Sequence, residues 1–191
     1  MKVKSTDFHL ENNTSNQGAT DSLSLYSSMT TNDILRRLRY AFDFKDERMQ
    51  ELFASGGINL TKEDVKHILF KDYYDGFREA RQEELAAFLN GLINVKRGKR
   101  DGPQPAPEKE LTNNIILRKL KIAMNWQDED ILETLMLGDM RFGKHELSAL
   151  FRKITHPHHR YCKDQLIRKL LVGMHIRYRP KDSKSIEEIL D

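Results

Sequence analysis

Shifted by 82 residues, this chain lies on itself: "TTNDILRRLRYAFDFKDE" falls on "TNNIILRKLKIAMNWQDE", and residues 30–97 pair without a gap with residues 112–179. Of these 68 paired positions 17 are identical, among them Asn32/Asn114, Leu38/Leu120, Ala41/Ala123, Gly56/Gly138, Leu89/Leu171 and Gly91/Gly173. Other pairs keep apolar bulk in place: Phe44 with Trp126, Ile68 with Leu150, Phe88 with Leu170. A register that aligns helix starts, glycines and apolar positions together means that one supersecondary unit occurs twice. Matching side chains then fill matching interiors, which limits the folds open to the chain.

Each unit reads as four short helices, and strand signals are almost absent. Ile34, Leu35, Leu38 and Phe42 recur at helical spacing, with Arg36, Arg37 and Arg39 displaced from that stripe. Thr31 or Asn32 is placed to accept from the free N–H groups at the start of this helix. A second helix runs from about residue 46 to 54, buries Met49, Leu52 and Phe53, and stops at Gly56-Gly57, where a left-handed backbone is cheap. Thr61 and Asp64 form a capping box ahead of Val65, Ile68 and Leu69. The fourth helix starts near Gln82 and buries Leu85, Phe88, Leu89, Leu92 and Ile93, with Gly91 admitting a neighbouring helix closely. The expected fold is all-α, with about eight helices in two tandem, pseudo-symmetric copies.

Between the copies, "DGPQPAPEKE" holds three of the chain's five prolines and cannot continue a helix. The expected organisation is a disordered tail at residues 1–29, rich in Ser, Thr, Asn and Gln, a first repeat at 30–98, a Pro-rich linker at 99–111, a second repeat at 112–179 and a short tail at 180–191. Met29 stands just before the first repeat and is a second candidate start of translation. No secretory signal opens the chain, no apolar run approaches the roughly 20 residues that span a bilayer, and one cysteine rules out an internal disulfide. A cytoplasmic protein with no membrane association is the expectation.

These residues resemble a family. "TTNDILRRLRYAF", "FLNGLINVKRGK" and "NNIILRKLKIA" look like the bacterial YehS-like proteins, a tandemly duplicated helical domain of unknown function. The resemblance covers about residues 30–179 and implies a small, helical, cytoplasmic protein, with no activity, catalytic residue or cofactor to carry over. Members of this family carry Cys-x-Asp before the last helix of a copy. Here Cys162-Lys163-Asp164 matches in the second copy, whereas the first has Ala80-Arg81-Gln82.

Charge divides unevenly between the copies. Residues 43–84 hold 7 Lys/Arg against 11 Asp/Glu, whereas residues 141–181 hold 11 against 2. A positive second half attracts polyanions unless the acidic half neutralises it. Candidate nucleic-acid contacts are Lys96, Arg97, Lys99, Arg100, Arg152, Lys153, Arg160, Lys163, Arg168, Lys169, Arg177 and Arg179. Helices two and three of each copy also have a helix-turn-helix outline, with "KEDVKHIL" and "KHELSALFRK" as reading helices. Within "THPHHRYC", His156, His158, His159 and Cys162 are a weak candidate metal set, because structural zinc sites draw ligand pairs from two segments and no second pair is evident. Cys162 beside His159 is also a candidate nucleophile, although a lone cysteine before a helix reads more simply as a core residue. No catalytic set stands out and no cofactor is implied. The best reading is a non-catalytic helical module that binds a protein or itself. Nucleic-acid binding through the second repeat is the alternative, and a small metal- or thiol-dependent enzyme ranks third.

Overall fold

Eight helices and no strand occur among residues 29–179, the residues that this computed structural model describes. The first repeat supplies α1 (Thr31–Ala41), α2 (Asp46–Ser55), α3 (Lys62–Leu69) and α4 (Gln82–Arg97). The second supplies α5 (Asn113–Met124), α6 (Asp128–Leu137), α7 (Lys144–Leu150) and α8 (Asp164–Tyr178). The tails expected at residues 1–29 and 180–191 lie outside the described residues except for Met29, which packs against the core and donates its N–H to Asp164 at 3.2 Å. Among the described residues no helix is long and apolar enough to cross a membrane.

The start of α1 shows where sequence reasoning was one or two residues out. Thr30, rather than Thr31 or Asn32, caps α1: its hydroxyl accepts from the Asp33 N–H at 3.1 Å, and the Asp33 carboxylate accepts from the Thr30 N–H at 3.1 Å. Thr112 caps α5 by accepting from the Ile115 N–H at 3.4 Å, with no carboxylate to reciprocate, and Thr61 with Asp64 forms the expected box on α3. Asn32 is thereby free for another task. Its side-chain N–H groups donate to the carbonyls of Ile68 at 2.8 Å and Arg78 at 2.9 Å, and its oxygen accepts from the Ala80 N–H at 3.0 Å. Asn114 repeats this on Leu150 at 2.8 Å, Arg160 at 2.9 Å and Cys162 at 2.9 Å. Each asparagine thus ties the last loop of its repeat to the first helix and satisfies three backbone groups.

Glycines set the closest helix approach. A Cβ on Gly91 would lie 1.8 Å from the Leu52 carbonyl oxygen, and one on Gly56 would lie 1.7 Å from the Ala87 oxygen. Gly173 and Gly138 stand in the same relation to Thr134 at 1.8 Å and Lys169 at 2.0 Å. α2 is therefore pressed backbone to backbone on α4, and α6 on α8. Gly56 serves this contact as the C-cap of α2 at a negative φ of −91°, while Gly57 takes the positive one at φ +102°.

The repeats do not close on themselves. α4 packs chiefly on α2 and on α5 of the other repeat, and α8 packs on α6 and on α1 of the other repeat. These reciprocal contacts make a central layer of α1, α4, α5 and α8 flanked by α2 and α6. One continuous core results, from Leu35, Leu38 and Phe88 to Leu117, Leu120 and Leu171. Rings cross the junction too: Phe42 meets Tyr178 at 5.3 Å and Tyr40 meets His175 at 4.7 Å between centroids.

Candidate interaction surface at the repeat junction

Where α4 crosses α5, the chain forms a groove of about 610 Å³. Ile93 of α4 and Ile115 and Ile122 of α5 give it an apolar floor, and Ile122 is 47% exposed. Ile93 was expected in the core but is only partly buried, because it faces this groove. The rim is cationic: Arg97 ends α4, Arg100 follows Gly98, and Arg118 and Lys119 come from α5. Glu108, from the segment between the repeats, is the carboxylate of the set; it pairs with Lys119 at 2.9 Å. Among the described residues no carboxylate pairs with Arg97 or Arg100. Arg118 gives one N–H to the Phe151 carbonyl at 2.8 Å and stays exposed. The surface so made offers aliphatic contact below and charge above, and neither repeat supplies it alone.

The other cations singled out from sequence are placed differently. Lys96 lies 5.5 Å from the centre of the Phe42 ring, and Lys99 is exposed beyond α4. Arg177 is held by Asp130 at 3.2 Å and Thr134 at 3.0 Å, against the Trp126 ring. Arg179 pairs with Asp43 at 3.4 Å and covers the Tyr40 ring at 4.6 Å. Lys169 faces Asp139 at 3.7 Å, and Arg168 is half-buried on α8. The basic end of α8 is thus neutralised locally, while its equivalent in α4 contributes Arg97 to the groove.

A second basic surface follows from one substitution between repeats. Glu84, fully buried on α4, accepts from Arg78 at 3.1 Å and from the Arg81 N–H at 2.8 Å. The equivalent position is Leu166, so the matching Arg160 and Lys163 lose that carboxylate and stand exposed. Beside them lie Lys153, half-buried Arg152, and the exposed Ile154 and Tyr161, the last 70% accessible. α7 ends at Leu150 and its first residue, Lys144, pairs with Glu129 at 2.7 Å. Arg152 and Lys153 therefore sit in the turn beyond α7, not on a reading helix.

The histidine segment does not assemble. His156 Nδ1 accepts from the His158 N–H at 3.0 Å, and His159 Nδ1 meets the Arg152 carbonyl at 3.0 Å. Among the described residues no three His, Cys, Asp or Glu side chains converge where they could hold a metal ion. Cys162 is buried in the place that Ala80 holds in the first repeat, and burial, with the nearby Asp164 charge, pushes its thiol up to about 12. That opposes thiolate formation, so the residue is a small core side chain here.

Sequence reading found Arg97 and Arg100 but missed Arg118, Lys119 and Glu108. The missing signal was tertiary: these residues come from segments that meet only when the repeats dock.

The two repeats each match the family described as "Protein of unknown function (DUF1456)", over residues 31–98 and 113–179. The chain is also 36% identical over 154 residues to "Uncharacterized protein YehS" of Escherichia coli (strain K12), covering 80% of this chain and 99% of that protein. No solved structure matches it.

Proposed function

The chain belongs to the DUF1456 family, and we propose that it acts as a non-catalytic interaction module whose α4–α5 groove binds an extended acidic segment of a partner protein. The supporting observation is the pairing, in one groove, of an apolar floor with a rim carrying four cations against one carboxylate. Aliphatic side chains of the bound segment would cover Ile93, Ile115 and Ile122, and its carboxylates would meet Arg97, Arg100 and Arg118. Guanidinium groups suit this role because they present several donors in a planar fork to a carboxylate. A bare phosphate backbone would leave the isoleucine floor uncovered, which favours protein over nucleic acid at this place.

The test is a photo-crosslinking residue at position 122 of the full chain, used in nuclease-treated lysate of the source cell. The expected product is a crosslinked peptide bearing Asp or Glu, lost at least tenfold in the doubly charge-reversed variant Arg97→Glu/Arg100→Glu. Crosslinking that survives charge reversal, or that nuclease abolishes, overturns the reading.

A second reading attaches to the Arg160–Lys163 surface, where Tyr161 is exposed among cations. Exposed aromatic rings beside Arg and Lys are the arrangement that stacks unpaired bases and follows phosphates. Binding of single-stranded oligonucleotide there would weaken by about 0.7 logarithmic units per phosphate contact for each tenfold rise in salt.

A further inference from the structure

Asn90, Ile93, Asn94 and Arg97 follow one another at helical spacing along the face of α4 that lines the groove between the repeats. Asn90 is the most deeply buried of them, only 6% exposed. Its side-chain oxygen accepts from the Lys119 ammonium at 2.5 Å, and Lys119, 8% exposed on α5, also pairs with Glu108 Oε1 at 2.9 Å. An ammonium only donates, so the Asn90 oxygen must face it and the amide nitrogen is turned away. That nitrogen is buried without a hydrogen-bond partner among the described residues, and so is Glu108 Oε2. Two unsatisfied groups of opposite character, a donor and an acceptor, thus flank one ammonium in one corner of the groove.

Packing does not require the amide. The 82-residue register places Val172 where Asn90 stands and Arg37 where Lys119 stands, so α8 crosses α1 without an asparagine. Buried polar groups are nearly always satisfied, and a donor and an acceptor left bare beside each other in a groove call for a ligand that meets both. A carboxamide presents an acceptor oxygen and a donor NH2 side by side on one planar end. A hydroxyl would have to meet both groups with a single oxygen.

We propose that this corner is a specificity subsite for the side-chain carboxamide of a Gln or Asn in the acidic segment that the groove binds. Asn90 Nδ2 donates to the carboxamide oxygen, and Glu108 Oε2 accepts from its NH2 group. The proposal rests on the reading of the groove as a peptide site and adds the residue type that the site selects. Arg97 stands seven residues beyond Asn90, about 10 Å along the helix, and an extended chain covers that distance in about three residues. The carboxamide therefore stands about three positions from the carboxylate that meets Arg97.

A phage-displayed library of random peptides, panned on the full chain, tests it. Enriched peptides are expected to carry Gln or Asn at a fixed place about three positions from Asp or Glu. Changing that residue to Leu in a synthetic copy weakens binding about tenfold, the scale of the hydrogen bonds lost. Two variants change which residue is selected at that place. Asn90→Asp keeps an oxygen on Lys119 but replaces the donor by an acceptor, so Lys or Arg is selected there. Glu108→Gln replaces the acceptor by a donor, so Asp or Glu is selected there. Acidic peptides enriched without a carboxamide show that the corner holds a buried water only, which overturns the proposal and spares the groove. The same residue selected by the wild type and both variants overturns it as well. Failure to enrich acidic peptides at all removes the groove reading and the subsite with it. Should Asn90→Asp fail to fold, Glu108→Gln, in the segment between the repeats, decides alone with the same outcomes.

Discussion

Gly91→Ala isolates the contact on which the pseudo-symmetric architecture rests. The added Cβ would stand 1.8 Å from the Leu52 carbonyl oxygen and 2.7 Å from its carbon. A carbon can approach such an oxygen to about 3.3 Å, so the α2 and α4 backbones must part by about 1.5 Å. Both groups are backbone, so no side-chain rotation relieves the clash. Separation of that size forfeits at least half the dispersion attraction across the seam, and the seam holds Met49, Leu52, Phe53 and Phe88, all fully buried. Overpacking of this kind costs up to about 3 kcal/mol and sometimes more, against about 1 kcal/mol gained because alanine favours a helix interior over glycine. A net loss of about 2–4 kcal/mol is expected from urea unfolding of the full chain. Gly173→Ala is expected to lose a similar amount, since its Cβ would meet Thr134 at 1.8 Å. Gly56→Ala combined with Gly91→Ala is expected to lose less than the two separately, because one displacement accommodates both. Unchanged or increased stability in Gly91→Ala would refute the reasoning: helix propensity would then outweigh the clash, and the two helices would not be pressed together.

The remaining predictions concern the buried polar ties and the thiol. Asn32→Ala removes the partner of the Ile68 and Arg78 carbonyls and of the Ala80 N–H; it should cost about 3 kcal/mol in urea unfolding, and Asn114→Ala should match it. Cys162 should resist alkylation by iodoacetamide at pH 8 in the native state and react once urea unfolds the chain. Its thiol is raised from 9.0 to about 12 in the fold, so the unfolded chain releases the proton first; stability should hold below about pH 9 and fall between there and pH 12. Cys162→Ala, which installs the residue of the first repeat, should remove the part of that alkaline decline due to this thiol and cost about 1 kcal/mol. A decline of equal size in both chains would show that other groups cause it.

Much of the architecture was legible because it is written locally and written twice. Apolar spacing, the Thr61–Asp64 box and the glycine pair at 56 and 57 need only neighbouring residues to be read, and repetition removed much of the ambiguity of short helices. Errors arose where a residue had a local and a distant use of similar plausibility. Asn32 satisfies the usual preference for a helix cap, yet it lies buried and brackets a loop more than thirty residues away. Ile93 fits an apolar stripe, yet it faces the groove while Leu85, Phe88, Leu89 and Leu92 of the same stripe are buried. The cations were the least legible, since a charge count does not reveal which carboxylate will lie opposite: Arg177 and Arg179 are bound to Asp130 and Asp43, whereas Arg97 is left to the groove.

By itself the sequence determined the helices, their doubling and the glycines at which they touch, because hydrogen bonds, caps and apolar periodicity act over a few residues. Tertiary structure alone decided that the copies share one core, that α4 lies on α5 and α1 on α8, and that Arg97, Arg118 and Lys119 surround one groove. Those outcomes depend on which apolar faces meet across long separations. The 82-residue register says that two faces are alike; it does not say whether each will pair within its own copy or with the other.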